Sequence, residues 1–219
     1  IFANEGLPDF PKDYLTKVSK LVRDSGGVVI LDEVQAGFGR TGTWWGYELS
    51  NVSPDIAVMG KPMGSGLPVS GVVATEEITN SFHKKAFYFN TTAATPLQAA
   101  VGGTVIDIIQ EEGLIENASR IGSYLKSELE KIKDNFDFLG DIRGPGLFIG
   151  LDIVDNKEDK NPDKDKAVEL VEMLKTKGIL ISNAGQYRNV LKLRPPLVFD
   201  SSHADLVLEG LGASFKEIS

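Results

Sequence analysis

An acidic pair, Asp32-Glu33, and a lysine further along, Lys61, stand out among the residues of this sequence that could take part in a reaction. The segment VVILDEVQAGFGRTG, residues 28–42, runs four apolar residues into an acidic pair and then into a glycine-rich turn. A hydrophobic strand ending in Asp-Glu is one way for a nucleotide hydrolase to hold magnesium and aim a water. That chemistry also needs a phosphate loop, G-x-x-x-x-G-K-[ST], to cradle the nucleotide. The only Gly-Lys pair, Gly60-Lys61, runs into Pro62 and has no second glycine five residues earlier. The hydrolase reading therefore fails on its partner motif.

Taken alone, Asp32 reads as a strand-end carboxylate capping a turn. Lys61 changes that reading, because it follows the next apolar run, DIAVMG, and reaches the same carboxyl edge if the two strands are parallel. Hemmed by Met59, Met63 and glycines, the lysine is expected to be desolvated. A desolvated lysine loses proton affinity and becomes a nucleophilic amine. An acid on one strand and an amine on its neighbour are what pyridoxal phosphate requires. The lysine forms a Schiff base with the aldehyde, and the carboxylate keeps the pyridine nitrogen protonated so that the ring accepts electrons.

The elements that must position these groups follow from periodicity. Tyr14, Leu15, Val18, Leu21 and Val22 share one helical face, and Gly26-Gly27 stops that helix. Residues 28–31 read as a buried parallel strand, with two further such strands at DIAVMG and SGVVAT. Helix and strand in alternation predict an α/β layer with ligands at the carboxyl ends of the strands. Helices are predicted over residues 96–113 and 114–136, and a strand from Gly146. A charged loop over 155–166, a helix over 167–177, strands at 179–182 and 190–193, and a final helix from Ser202 complete the pattern. A domain boundary is expected near residues 101–107, dividing a part at 1–103 from a part at 104–219.

Composition narrows the classes. The 219 residues carry a formal net charge of −8 and no cysteine. No basic patch suggests nucleic acid, no thiolate chemistry is available, and no apolar run approaches a membrane span. A reducing, cytoplasmic setting is the expectation. His83 and His203 are isolated and read as surface or capping residues. Trp44 and Trp45 read as core or subunit contacts, and Arg40 reads equally as a brace of the cofactor loop or an ordinary exposed residue.

LDEVQAGFGRTG followed by DIAVMGKPMGSGLPV resembles the class-III aminotransferases of the fold-type I pyridoxal phosphate enzymes. With YFNT, GDIRGPGLFIGLDIV and RNVLKLRPPLVF, nearly the whole chain is similar to the alanine–glyoxylate aminotransferase-2-like branch, which includes phospho-lyases of phosphoethanolamine and phosphohydroxylysine. The resemblance implies the later part of a mostly parallel cofactor-binding large domain at 1–103 and a small α+β domain at 104–219. It also implies pyridoxal 5′-phosphate, an amino donor, a keto acid acceptor, and a homodimer with shared active sites. Matched by motif, Asp32 would pair with the pyridinium nitrogen, Val34 would pack on the ring, and Gln35 would bond its phenolic oxygen. Lys61 would be the Schiff-base lysine and proton shuttle, and Thr91 would reach the cofactor phosphate of the neighbouring subunit. Without the motif, Thr91 reads as a turn residue ahead of a helix.

Two departures stand out. The family's substrate-gripping arginine, two residues before a small residue and Pro-Pro, falls on Lys192, while Arg194 occupies the small-residue position. Lysine lacks the bidentate fork of arginine, so Lys192 and Arg194 are competing candidates for the substrate carboxylate. After Thr91 the family tends to an aromatic, two glycines and Asn, where this chain has Thr92, Ala93, Ala94 and Thr95. The sequence begins at Ile1 and reads as about the second half of such an enzyme. Its expected activity is amino transfer, with phosphate elimination and a non-catalytic truncated module as alternatives.

Overall fold

The computed structural model describes residues 1–219 as two compact units. One comprises Phe10–Gly39 and Thr43–Leu114, and the other Ile1–Asp9, Arg40–Gly42 and Ile115–Ser219. The spatial division therefore falls at the junction of two helices, and the expected boundary at 103/104 lies inside the first of them.

In the first unit, helix α1 (Tyr14–Asp24) leads into β1 (Ile30–Asp32). The Asp55 carboxylate ties the two together. It takes the Arg23 guanidinium at 3.0 Å and the Val29 N–H at 2.7 Å, and the bond to Arg23 holds it below the usual aspartate range. Asp55 also opens β2 (Ile56–Met59), which pairs in parallel with β1 in the register Ile30↔Ile56, Leu31↔Ala57, Asp32↔Val58. β3 (Gly71–Ala74) then pairs antiparallel with β2, which corrects the expectation of a third parallel strand. Chain direction is invisible to a short apolar run. The tight succession of turns over 60–70 brings the chain back without a crossover helix, and an antiparallel neighbour results. Helices α2 (Glu76–Lys85) and α3 (Pro96–Glu111) complete the unit; α2 had no counterpart among the elements expected from periodicity.

The first strand also departs from its predicted burial. Val29 is buried, whereas Val28 and Ile30 are 50% and 56% exposed. Successive side chains point to opposite faces of a strand; Val29 is covered while its neighbours are not, and in β3 both Val72 and Val73 are exposed.

The second unit is an antiparallel sheet of β4 (Leu139–Arg143), β5 (Ile149–Ile153), β7 (Val190–Leu193) and β6 (Ser182–Ala184), in that order. Helices α4 (Leu114–Lys133), α5 (Lys164–Thr176) and α6 (Ser201–Ile218) pack with it. Ile121, Leu125 and Leu129 recur every four residues on α4, one stripe of a helix. They bury with Leu170 and Leu174 of α5, Leu211 and Phe215 of α6, and Leu151, Ile153 and Leu191 of the sheet. Each such side chain contributes about 1.5–3 kcal/mol on full burial. The predicted strand at 179–182 forms instead at Ser182–Ala184, where Asn183 pairs with Leu191. Strand β4 escapes sequence reading, because the glycines and charges of LGDIRG mask its alternation. At the start of α6 the Asp200 carboxylate accepts the His203 N–H at 3.0 Å. That bond, with the Ser202 hydroxyl, lowers its pKa to about 2, and His203 is a capping residue as expected.

Close backbone packing fixes α4. A Cβ on Gly122 would overlap the Gly146 carbonyl, and one on Gly146 would approach the Thr41 carbonyl carbon at 2.5 Å. Backbone on both sides cannot yield as a flexible side chain would. Gly122→Ala should therefore destabilise the chain by about 1–3 kcal/mol or more, the range of overpacked cores. Denaturant unfolding checks this, and an unchanged midpoint would show that α4 shifts freely.

Candidate functional site

Asp32 ends β1 and is exposed, and its Oδ1 accepts the Val34 N–H at 2.9 Å. That bond orients the carboxylate at the strand's carboxyl end and caps the turn that follows. Glu33, one residue on, points the opposite way. It is 3% exposed and accepts the N–H groups of Gly46 at 2.7 Å and Tyr47 at 3.1 Å. Burial pushes its carboxyl above the usual glutamate range, opposed by those two bonds. The acidic pair thus divides its labour: Glu33 braces the loop after β1, leaving Asp32 as the outward group. Sequence reasoning gave Glu33 no role of its own, although strand alternation carried the signal.

Lys61 stands two residues past the end of β2, as the first residue of a short 3-10 turn, Lys61–Gly64. Parallel pairing of β1 and β2 brings Asp32 and Lys61 to the same sheet edge, and Val34 lies between them against Gly60, within ordinary van der Waals contact of a Cβ built there. The expected desolvation is overturned, because Lys61 is exposed. Methionines and glycines flank it in sequence, yet the turn lifts its side chain away from them. Its backbone sits at φ +42°, a left-handed conformation uncommon for a residue with a Cβ. Gln35 is half-buried beside Val34.

Thr91 is exposed on the loop before α3. Asn90 Oδ1 accepts both the Thr92 N–H and its hydroxyl, and Ala94 takes φ +54°. The loop keeps a left-handed residue although this chain supplies no glycine there. A cleft of about 660 Å³ opens beside it, lined by Met63, Ser70, Asn90, Thr92, Gln98 and Gly102.

In the other unit, Lys192 is buried on β7. Its ammonium donates to the Ala3 carbonyl at 2.8 Å and lies 5.1 Å from the centre of the Phe148 ring. Arg194 is exposed. Arg40 donates to the carbonyls of Leu147, at 3.1 Å, and Pro195. Burial, with Arg194 nearby, lowers its pKa to about 10, so it braces the turn after β7. Trp45 packs edge-on to Phe38 and parallel to Tyr47, a core contact. No helix is long and apolar enough to cross a membrane.

Residues 1–215 match the family model Aminotransferase class-III. Over 203 residues the chain is 43% identical to the alanine–glyoxylate aminotransferase 2-like protein of Drosophila melanogaster, covering 91% of this chain and 41% of that one. It is 35% identical to the mitochondrial alanine–glyoxylate aminotransferase 2 of Homo sapiens, covering 93% and 40%. Among solved structures it is similar to a phospholyase from Arthrobacter in complex with phosphoethanolamine. That likeness has TM-score 0.95 and 42% identity, and covers 98% of this chain and 51% of that one. The chain spans about half the length of these relatives, or less.

Two measurements test the geometry. Because the folded pKa of Glu33 is raised, its contribution to stability is full below the ordinary value of 4.5 and is lost as pH rises through the raised value. Glu33→Gln does not ionise, so its melting temperature should gain on the parent's as pH climbs upward from 4.5; a difference independent of pH would remove the burial argument. At position 61, glycine relieves the left-handed backbone and alanine does not. Lys61→Gly should be more stable than Lys61→Ala by about 0.5–1 kcal/mol, after allowing for glycine's extra freedom in the unfolded chain. The reverse order would show that the turn relaxes.

Proposed function

The chain belongs to the class-III aminotransferases, pyridoxal 5′-phosphate enzymes of α/β fold, and on that premise we propose that Asp32 and Lys61 serve the cofactor in moving an amino group from a small amine or amino acid to a keto acid. The observation that supports this reading is the parallel register Asp32↔Val58, which sets a carboxylate and an amine at one sheet edge. The residues fit the group: a carboxylate oriented by a backbone N–H, an accessible amine one strand away, and a valine side chain between them. When bound, the cofactor supplies an aldehyde for the substrate amine and a ring that accepts the electron pair released at the substrate carbon.

Asp32 holds a proton on the ring nitrogen. Lys61 would hold the cofactor through Nζ and, as the amine set free when the substrate's amine takes its place, would carry a proton to and from the substrate carbon. Val34 supports the ring face, and Gln35 offers its amide to the phenolic oxygen. Thr91 reaches the phosphate across a homodimer. On this reading residues 1–103 are the cofactor part and 104–219 the small domain. For the anionic end of the substrate, the exposed Arg194 is favoured over Lys192, whose ammonium is already engaged by the Ala3 carbonyl.

Phosphate elimination from an amino-alcohol phosphate is the second reading. It is favoured by the likeness to the Arthrobacter phospholyase.

Incubation with pyridoxal phosphate, borohydride reduction and peptide mapping test the assignment. The label should fall on Lys61 and vanish from that peptide in Lys61→Ala; label spread evenly over other lysines would sink it. With phosphoethanolamine, equal release of inorganic phosphate and ammonia marks elimination, whereas amino transfer to a keto acid without phosphate marks transamination.

A further inference from the structure

The turn that carries Lys61 is not held by its own preferences. Lys61 at φ +42° and Ser65 at φ +43° are both left-handed without being glycine; each such residue costs on the order of 1–3 kcal/mol and persists only where its surroundings over-determine it. Within the turn there are only local bonds: Met63 N–H to Gly60, Ser65 N–H to Pro62, Leu67 N–H to Gly64 and Val69 N–H to Leu67. Met63 packs its side chain against Gly71 of β3, and a further hold on the turn comes from α3. Gly102 brings that helix close to the Met63 carbonyl, where an added Cβ would lie 3.8 Å away. Gln98 lies one helical turn earlier on the same face, and its Nε2 donates to the Pro68 carbonyl at 3.1 Å.

The orientation of that amide is determined. Its Oε1 accepts the Thr95 hydroxyl at 3.0 Å and the Thr95 N–H at 3.4 Å, closing a capping box at the start of α3. The Pro68 carbonyl is an acceptor only, so the NH₂ group must face it. Gln98 thus ties the start of α3, and with it the loop ending at Thr95, to the segment just after Lys61.

We propose that Gln98 is a positioning residue for Lys61, fixing the strained turn through the Pro68 carbonyl so that the amine is presented at the edge of the sheet. The proposal rests on the reading of Lys61 as the cofactor lysine. Its structural half, the holding of the turn, can be measured without any cofactor.

Gln98→Glu separates positioning from capping. Glutamate keeps the acceptor that completes the capping box and loses the donor to Pro68; Gln98→Ala loses both. In the 219-residue chain, Gln98→Glu should lose less melting temperature than Gln98→Ala, because it keeps the cap. The N–H groups of Ser65, Leu67 and Val69 should nevertheless exchange with solvent about 2- to 12-fold faster, the factor set by one net hydrogen bond. Borohydride-trapped pyridoxal phosphate on Lys61 should fall by a similar factor, and Gln98→Ala should show the same losses with a lower melting temperature. Parent-like exchange and labelling in Gln98→Glu would reduce Gln98 to a helix cap and overturn the proposal. If the parent itself labels Lys61 no faster than other lysines, the cofactor reading fails separately, and the exchange rates still decide whether Gln98 holds the turn.

Discussion

The hydrogen-bonded register between β1 and β2 is the constraint on which the placement of Asp32 and Lys61 depends. Pairing Asp32 with Val58 in parallel sends both strand ends to the same edge, so a carboxylate and an amine far apart in sequence become neighbours. A slip of one residue would reverse every side chain, turning Asp32 inward and Glu33 outward. Asp55 guards against that slip by holding the Val29 N–H at the entry to β1 while opening β2 itself. Glu33 guards the other end through Gly46 and Tyr47.

With the register set, the turn at the end of each strand determines how the groups are displayed. After β1 the chain turns on the bond between Asp32 and the Val34 N–H, which aims the carboxylate. After β2 it enters a turn with Lys61 in a left-handed conformation. Strain of that kind persists only where neighbouring structure enforces it, and α3 supplies the enforcement through Gly102 and Gln98. The stability given up at Lys61 and the placement of its amine are two aspects of one local geometry.

The other unit solves a different problem. Its four antiparallel strands and three helices bury an apolar core with few polar interruptions. Lys192 is one interruption, tolerated because its ammonium has a carbonyl and an aromatic face for company. Arg40 is another, a desolvated guanidinium spanning two carbonyls near a second arginine. Lys192 is thus engaged within the fold, whereas Arg194, two residues later, is exposed.

The family, the α/β class, most of the elements and the candidates Asp32 and Lys61 can all be read from the order of residues. These depend on local signals: apolar runs, helical periodicity, glycine stops and a pair of short motifs. β7 and the helices α1, α3, α4, α5 and α6 were legible because their periodicity is strong and their ends carry caps or glycines. The antiparallel direction of β3, the exposure of Val28, Ile30 and Lys61 and the burial of Lys192 come from the packed fold instead. Strand direction depends on the path between strands, and burial depends on which distant segment arrives to cover a residue. Neither is encoded in the residue's immediate neighbours. Gln98 stands between the two cases: Thr95-Pro-Leu-Gln98 announces a capping box in sequence, but its second bond, to Pro68, exists only because α3 packs back onto the turn after Lys61.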